Sequence, residues 1–261
     1  VAKLALLLAV ALLSHYAKSS PTGPKQRRIA FSRAKMIDNG ISISWLEQTW
    51  NKDMLTADGI KPTDLQLLKK LGFKTIRLPV AFRYFEKSHV PQQQVLARVD
   101  KVWALCRQYG FKLIIDYHYG DLADSNYISA TKNIINTWTV IAKKYLHADA
   151  NALFYEIYNE PPPMNPQIWK DAAYNIVNAI RKIDKRRTLL VGASNYNSIY
   201  ELSRFIRLPD ENIIYTFHFY EPFLFTHQGA EWVGDQMATT GVPFPYSVEK
   251  FPVMNRKAKG T

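Results

Sequence analysis

From Asn39 onward the chain alternates short apolar runs with amphipathic stretches, and nothing else in it limits the possible folds so tightly. The segments "GISISW", "FKTIRLPV", "KLIIDYH", "ALFYEIYNE", "TLLVGAS" and "NIIYTFHFY" read as six strands. Helices are expected between them. "PTDLQLLKKLG" carries leucines at 65, 68 and 71 and stops at Gly72. "VLARVDKVWALCRQYG" places Val95, Val99, Val102, Cys106 and Tyr109 on one side, and further helices fall in "ATKNIINTWTVIAKKYL", "PQIWKDAAYNIVNAIRKID" and "IYELSRFI". Strands that are apolar on both faces, each followed by a helix, make parallel βαβ units.

The polar residues interrupting those strands are the second constraint. Arg77, Asp116 and His118, Asn159 and Glu160, and His218 and Tyr220 all fall toward strand C-termini. In a (β/α)8 barrel these ends converge on one mouth, where active sites are built. A doubly wound sheet would also gather ligands there, but no Gly-rich phosphate loop follows the first strand. No GxSxG elbow offers a hydrolase serine. The barrel is the expected fold, and 261 residues suit its usual size.

A net charge of +12 by itself suggests nucleic acid or an anionic surface. The basic residues are spread along the chain, however, with only short clusters such as Lys25-Gln26-Arg27-Arg28 and Lys185-Arg186-Arg187. With no zinc-finger spacing or basic zipper, we expect no nucleic-acid partner. Cys106 is the only cysteine, so there is no disulfide framework and no thiolate cluster. On its helix a small core residue is the natural reading. The histidines form no HExxH pair, and neither a metal nor a cofactor is expected.

The start, "VAKLALLLAVALLSHYAKSS", has one lysine ahead of an apolar run, Leu4 to Leu13. That run is too short to span the ~30 Å core of a bilayer. It reads as a signal peptide over residues 1–17, with His15 a poor residue three positions before the cut at Ala17. The product is then expected to be secreted or periplasmic, without a membrane anchor. Residues 18–38, including "SSPTGPKQRR", read as a polar linker, and 39–261 as the catalytic domain. An opening Val suggests an incomplete reading of the sequence.

The motifs "TIRLPV", "DYHYG", "YEIYNEP" and "HFYEPFLFTHQGAEW" resemble those of glycoside hydrolase family 5, within the clan of retaining (β/α)8 glycosidases. "EPFLFTHQGAEW" is similar to bacterial cellulases of that family. The resemblance implies that Glu160 is the general acid/base, against the plainer reading of a solvated charge. It implies that Asn159 bonds a sugar 2-hydroxyl rather than merely forming a turn. Arg77, costly to bury unpaired, should have a carboxylate partner. The family sets such an arginine beneath the nucleophile, and a structural ion pair with Asp116 is the alternative. His118 and His218 match site histidines and Tyr220 a tyrosine that contacts the nucleophile, though each could be a satisfied core residue. Trp232 could stack on a pyranose or pack on the scaffold. Trp45 and Glu47 stand near the first strand's end and could line the cleft. "SNYN" departs from the Trp that many relatives carry after strand five.

The family's nucleophile is a glutamate ending strand seven. After Tyr220 the chain offers Glu221, Glu231 and Glu249, none of which ends a parallel strand following a helix. We therefore expect about six of the eight βα units, no nucleophile in this chain, and an inactive piece of a β-1,4-glucan hydrolase that is monomeric when complete. A β-glucan-binding remnant and a mannanase or β-1,3-glucanase of the same family are the alternatives.

Overall fold

The computed structural model describes residues 23–47, 59–205, 207–234, 239–245, 247 and 249. The leader assigned to residues 1–17 lies outside the described residues, as do 18–22 of the segment after it. The chain separates into two units, residues 1–217 and 218–261.

Among the described residues the first unit holds one six-stranded sheet: β1 (Gly40–Ser42), β2 (Thr75–Val80), β3 (Lys112–Tyr117), β4 (Leu153–Glu156), β5 (Leu189–Val191) and β6 (Ile213–Tyr215). Every neighbouring pair is parallel, and the order in space is the order in the chain. That order decides the architecture. A doubly wound sheet reverses direction at a switch point, whereas a barrel always steps to the same side. Among the described residues the sheet supplies six consecutive strands of a (β/α)8 barrel. Strands β4 to β6 are shorter than the apolar runs that contain them, so Asn159 and Glu160 follow β4 rather than end it. His218 and Tyr220, expected at the end of the sixth strand, lie beyond Tyr215 in the second unit.

The helices are α1 (Gly23–Ala34), α2 (Pro62–Lys70), α3 (Phe82–Lys87), α4 (Gln92–Tyr109), α5 (Tyr127–Lys144), α6 (Pro166–Arg181) and α7 (Ile199–Arg204). Val95, Val99, Val102 and Cys106 of α4 are buried, as their spacing requires. Burial pushes the Cys106 thiol up to about 12, so it is a core residue and not a nucleophile. With Trp138 of α5 and Trp169 of α6 they pack against the outward strand residues Ile76, Leu78, Leu113, Ile115 and Tyr155. Inside the sheet's curve a smaller cluster joins Ile114, Phe154 and Leu190 to Ile37 and Ile214. The leucine stripe of α2 is only partly inward. Leu65 is buried, but Leu71 is exposed, because the helix ends at Lys70 and Gly72 turns the chain at φ 88°.

Two buried arginines have structural duties. Within the segment read as a polar linker, residues 23–34 form α1. Its apolar residues form no inward stripe, and only Ala30 and Arg33 are buried. Polar bonds hold it instead. Arg33 donates to the Arg186 carbonyl at 2.6 Å, to Thr188 Oγ1 at 2.8 Å and to Asn151 Oδ1 at 3.0 Å. Arg187 is wholly buried, donating to Asp184 and to the carbonyls of Tyr145, Ala148, Asp149 and Leu153. Its guanidinium thus gathers four backbone carbonyls around the turn that leads into β4, adding to the N–H bonds that Tyr145 and Asp149 already accept.

The second unit contains α8 (Phe223–Thr226) and a 3-10 turn, Glu231–Val233. Phe223 stacks on His227 with ring centroids 3.9 Å apart, and Gly229 N–H donates to the Thr239 carbonyl at 2.8 Å.

Candidate active site

Parallel register decides which side chains share a face. Arg77 is level with Ser42 and Ile114, and Asp116 is level with Glu156. Side chains two apart on a strand point the same way, so Arg77, Asp116 and Glu156 all project inside the sheet's curve above the Ile114–Phe154 cluster.

There they form one buried network. Arg77 grips Glu156 at two points, Nε to Oε2 at 2.7 Å and Nη2 to Oε1 at 2.8 Å. Its Nη2 also reaches Asp116 Oδ2 at 2.9 Å and Asn159 Oδ1 at 2.9 Å. Burial works against the arginine's charge, but Asp116 and Glu156 outweigh it and hold the guanidinium above its ordinary value. The structural ion pair with Asp116 is therefore present, and Glu156 is a second partner that the sequence reading missed. A period-two reading from Phe154 could have found it. Glu156 falls on the same face as Phe154, as a charge inside an apolar strand that needs a counter-ion just as Arg77 does.

Asp116 Oδ2 also takes His118 Nδ1 at 2.6 Å. On the ring's other side, Glu47 Oε1 stands 3.5 Å from Nε2, an ion-pair distance rather than a tight hydrogen bond. Burial pulls the imidazole's pKa down, yet the two carboxylates overcome it and raise it to about 9. In return His118, with smaller help from Ser44 and Tyr119, holds the Glu47 carboxyl down at about 2 against its burial. Asn159 Nδ2 lies 3.4 Å from the same Nε2. An imidazolium donates from both nitrogens, so it cannot accept from that amide.

Glu160 comes one residue after this network, half-buried and with its backbone at φ 44°, a left-handed conformation that a residue with a β-carbon adopts at a cost. The loop it begins is anchored. Tyr196 N–H donates to the Pro161 carbonyl at 2.8 Å and Asn195 N–H to the Pro162 carbonyl at 3.2 Å. These donors belong to "SNYN", in which Asn195, Tyr196 and Asn197 form a left-handed turn with φ of 57°, 60° and 56°.

The structure thus brings Arg77, His118 and Asn159 together, with Glu160 at their edge. Glu47 joins them through His118, whereas Trp45 packs against the main core. His218, Tyr220 and Trp232 belong to the second unit. Within it, the Tyr220 ring lies edge-on to His218 and to His227, with centroids 6.3 Å and 5.3 Å away. Trp232 is 82% exposed, so it does not pack on the scaffold of its own unit. Of the three late glutamates, Glu221 accepts from Phe223 N–H at 3.1 Å, and Glu231 opens the 3-10 turn.

Sequentially ordered parallel strands with a carboxylate, arginine and histidine network at their C-terminal side define the (β/α)8 class of fold, with the network where such barrels build their sites. The chain belongs to glycosyl hydrolase family 5, whose Cellulase model matches residues 34–244. It is 28% identical over 263 residues to Endoglucanase 3 of Fibrobacter succinogenes, covering 92% of this chain and 38% of that protein. Endoglucanase C of Acetivibrio thermocellus is 30% identical over 214 residues, covering 76% of this chain and 62% of that protein. Among solved structures, a hyperthermophilic endo-β-1,4-glucanase in complex with substrate superposes with a TM-score of 0.69 at 27% identity, covering 78% of this chain and 66% of that one. The chain therefore spans less than two thirds of these relatives' length.

Proposed function

We propose that this chain carries the acid/base half of a secreted β-1,4-glucan hydrolase that works by retaining double displacement. One observation supports this above all. Asn159-Glu160 follows β4 directly above the buried Arg77–Asp116–Glu156 network, within a stretch matching a cellulase family.

Hydrolysis of a glycoside needs a proton on the leaving oxygen as the bond to the anomeric carbon breaks. Glu160 is the donor in this reading, and its carboxylate afterwards takes a proton from the attacking water. A second carboxylate, which we assign to no residue of this chain, forms the glycosyl-enzyme intermediate between those steps. Asn159 has a defined part. With its Oδ1 held by Arg77, its amide hydrogens face an imidazolium that cannot accept them, and they are left for a sugar hydroxyl. That contact strengthens as oxocarbenium character develops. His118 acts as a fixed positive charge between Asp116 and Glu47, holding the wall on which the sugar rests.

The test uses the product of the gene's whole reading frame with soluble β-1,4-glucan. Proton NMR of the first product should show the β-anomer, and an initial α-anomer would rule out double displacement. Glu160→Gln should lower turnover by roughly 10²–10⁴-fold, and unchanged turnover would remove Glu160 from the chemistry.

A further inference from the structure

Beside Glu160 the structure builds a second feature that the acid/base chemistry does not use. Tyr119 follows His118 immediately, with its backbone at φ 53° and its side chain 43% exposed. Its ring stands edge-on to the His118 imidazole, with centroids 4.4 Å apart. Its hydroxyl donates to Glu47 Oε1 at 2.9 Å. One oxygen of Glu47 therefore serves both the phenol and the imidazolium. The next residue, Gly120, fixes the loop from the other side, because a β-carbon there would collide with the Tyr158 phenol. Tyr158 is itself buried and stacked on Tyr117, one residue before Asn159. The chain brings Glu160 to the same place, because Asn159, the residue before it, has its Nδ2 3.4 Å from the Nε2 of the imidazole against which the Tyr119 ring stands.

A left-handed tyrosine is an expensive choice where glycine or asparagine would serve. Here the tether, the edge contact and the tight loop hold a partly exposed ring against the His118–Asn159 network that leads to the proposed acid. Pyranose rings present apolar C–H faces, and a fixed aromatic surface takes such a face with little loss of side-chain freedom.

We propose that Tyr119 is a substrate-positioning platform that receives one pyranose of a β-linked gluco-oligosaccharide next to Glu160, and that Glu47 is the residue that positions it. This rests on the glycan-hydrolase reading of the same site. Tyr119 sets where the chain lies, and Glu160 does the chemistry.

The experiment is calorimetric titration of the 261-residue chain with cellotetraose, alongside thermal melts. Tyr119→Ala should weaken binding about tenfold, the loss expected for one aromatic contact. Tyr119→Phe keeps the ring but loses the tether and should weaken it about threefold, on the same reasoning. Glu47→Ala should match Tyr119→Phe. Tyr119→Gly separates ligand binding from folding. It relieves the left-handed backbone, so Tm should hold or rise while affinity falls as in Tyr119→Ala. Parent-like affinity in Tyr119→Ala and Tyr119→Gly overturns this proposal alone, and so does a Tyr119→Gly variant that loses binding only because its Tm collapses. A parent chain that does not bind cellotetraose overturns the glucan reading of the site together with the platform.

Discussion

Arg77 and Glu156 are joined at two points, 2.7 Å and 2.8 Å, although β3 lies between their strands. The guanidinium spans that strand by also engaging its Asp116 at 2.9 Å, so one fork ties β2, β3 and β4 together beneath the site. Asp116 and Glu156 are almost wholly buried, and removing the arginine would take the two-point charge partner from Glu156 and leave Asp116 with His118 as its counter-charge. Arg77→Met should therefore cost about 3–5 kcal/mol in urea denaturation. Adding Glu156→Gln should recover part of that loss, a non-additivity expected of residues in one network. Arg77→Lys should not rescue, because an ammonium cannot make the planar two-point contact.

The second prediction concerns pH. Asp116 and Glu47 flank His118, with Asn159 and Tyr119 against the ring and Arg77 sharing the Asp116 oxygen. Its folded pKa, about 9, lies above the ordinary 6.5. The stability gained from the charged ring is thus complete below about 6.5 and is lost as pH rises through about 9, a change on the order of 3 kcal/mol. Glu47 runs the other way. Its carboxyl is held down at about 2, so its contribution is complete above about 4.5 and fades as pH falls toward 2. Melts between pH 6 and 10 should show Tm falling along the alkaline limb, and His118→Gln should flatten that limb. Direct NMR titration of the imidazole near 6.5 would contradict the two-carboxylate clamp.

Leaving-group dependence tests the role of Glu160 more sharply than loss of turnover does. In the whole reading frame's product, Glu160→Gln should hurt glycosylation by unactivated β-glucosides far more than by aryl glycosides with acidic phenols. The latter depart with little protonation. Pre-steady-state bursts measure the step, and equal losses for both substrate types would deny Glu160 an acid role.

For the 261-residue chain alone, we expect binding without turnover. Double displacement needs two carboxyls roughly 5–5.5 Å apart, and the network provides none that we assign as nucleophile. Reducing-sugar assays on soluble β-glucan should stay at background while cellotetraose still binds. Glu160-dependent turnover by this chain would show that one of its own carboxylates serves as nucleophile, and Glu221 would be the first to substitute.

Part of the site was legible because burial and charge conflict within single strands. Arg77 in "TIRLPV" demanded a partner, and "NEP" after an apolar run marked Glu160. Glu156 is harder to read because it sits inside the same apolar run, where only its alternation with Phe154 betrays that it faces Arg77. Glu47 and Tyr119 are far apart in sequence, and no local pattern reports a hydrogen bond between them. Helix α1 is illegible in the sequence for a related reason. Its anchorage is Arg33 reaching the Arg186 carbonyl, Thr188 and Asn151, and polar bonds of that kind leave no apolar period to read.

The sequence by itself determined the alternation of strand and helix, the parallel sheet and the buried face of α4. These follow from local periodicity, in which each residue's burial depends on neighbours a few positions away. Only the tertiary structure decided that β4 stops at Glu156, that Arg77 bridges three strands, and that Glu47 holds both His118 and Tyr119. Those outcomes depend on register between strands and on backbone angles such as φ 53° at Tyr119 and 44° at Glu160. Register and strain are properties of the assembled sheet, fixed when distant segments meet.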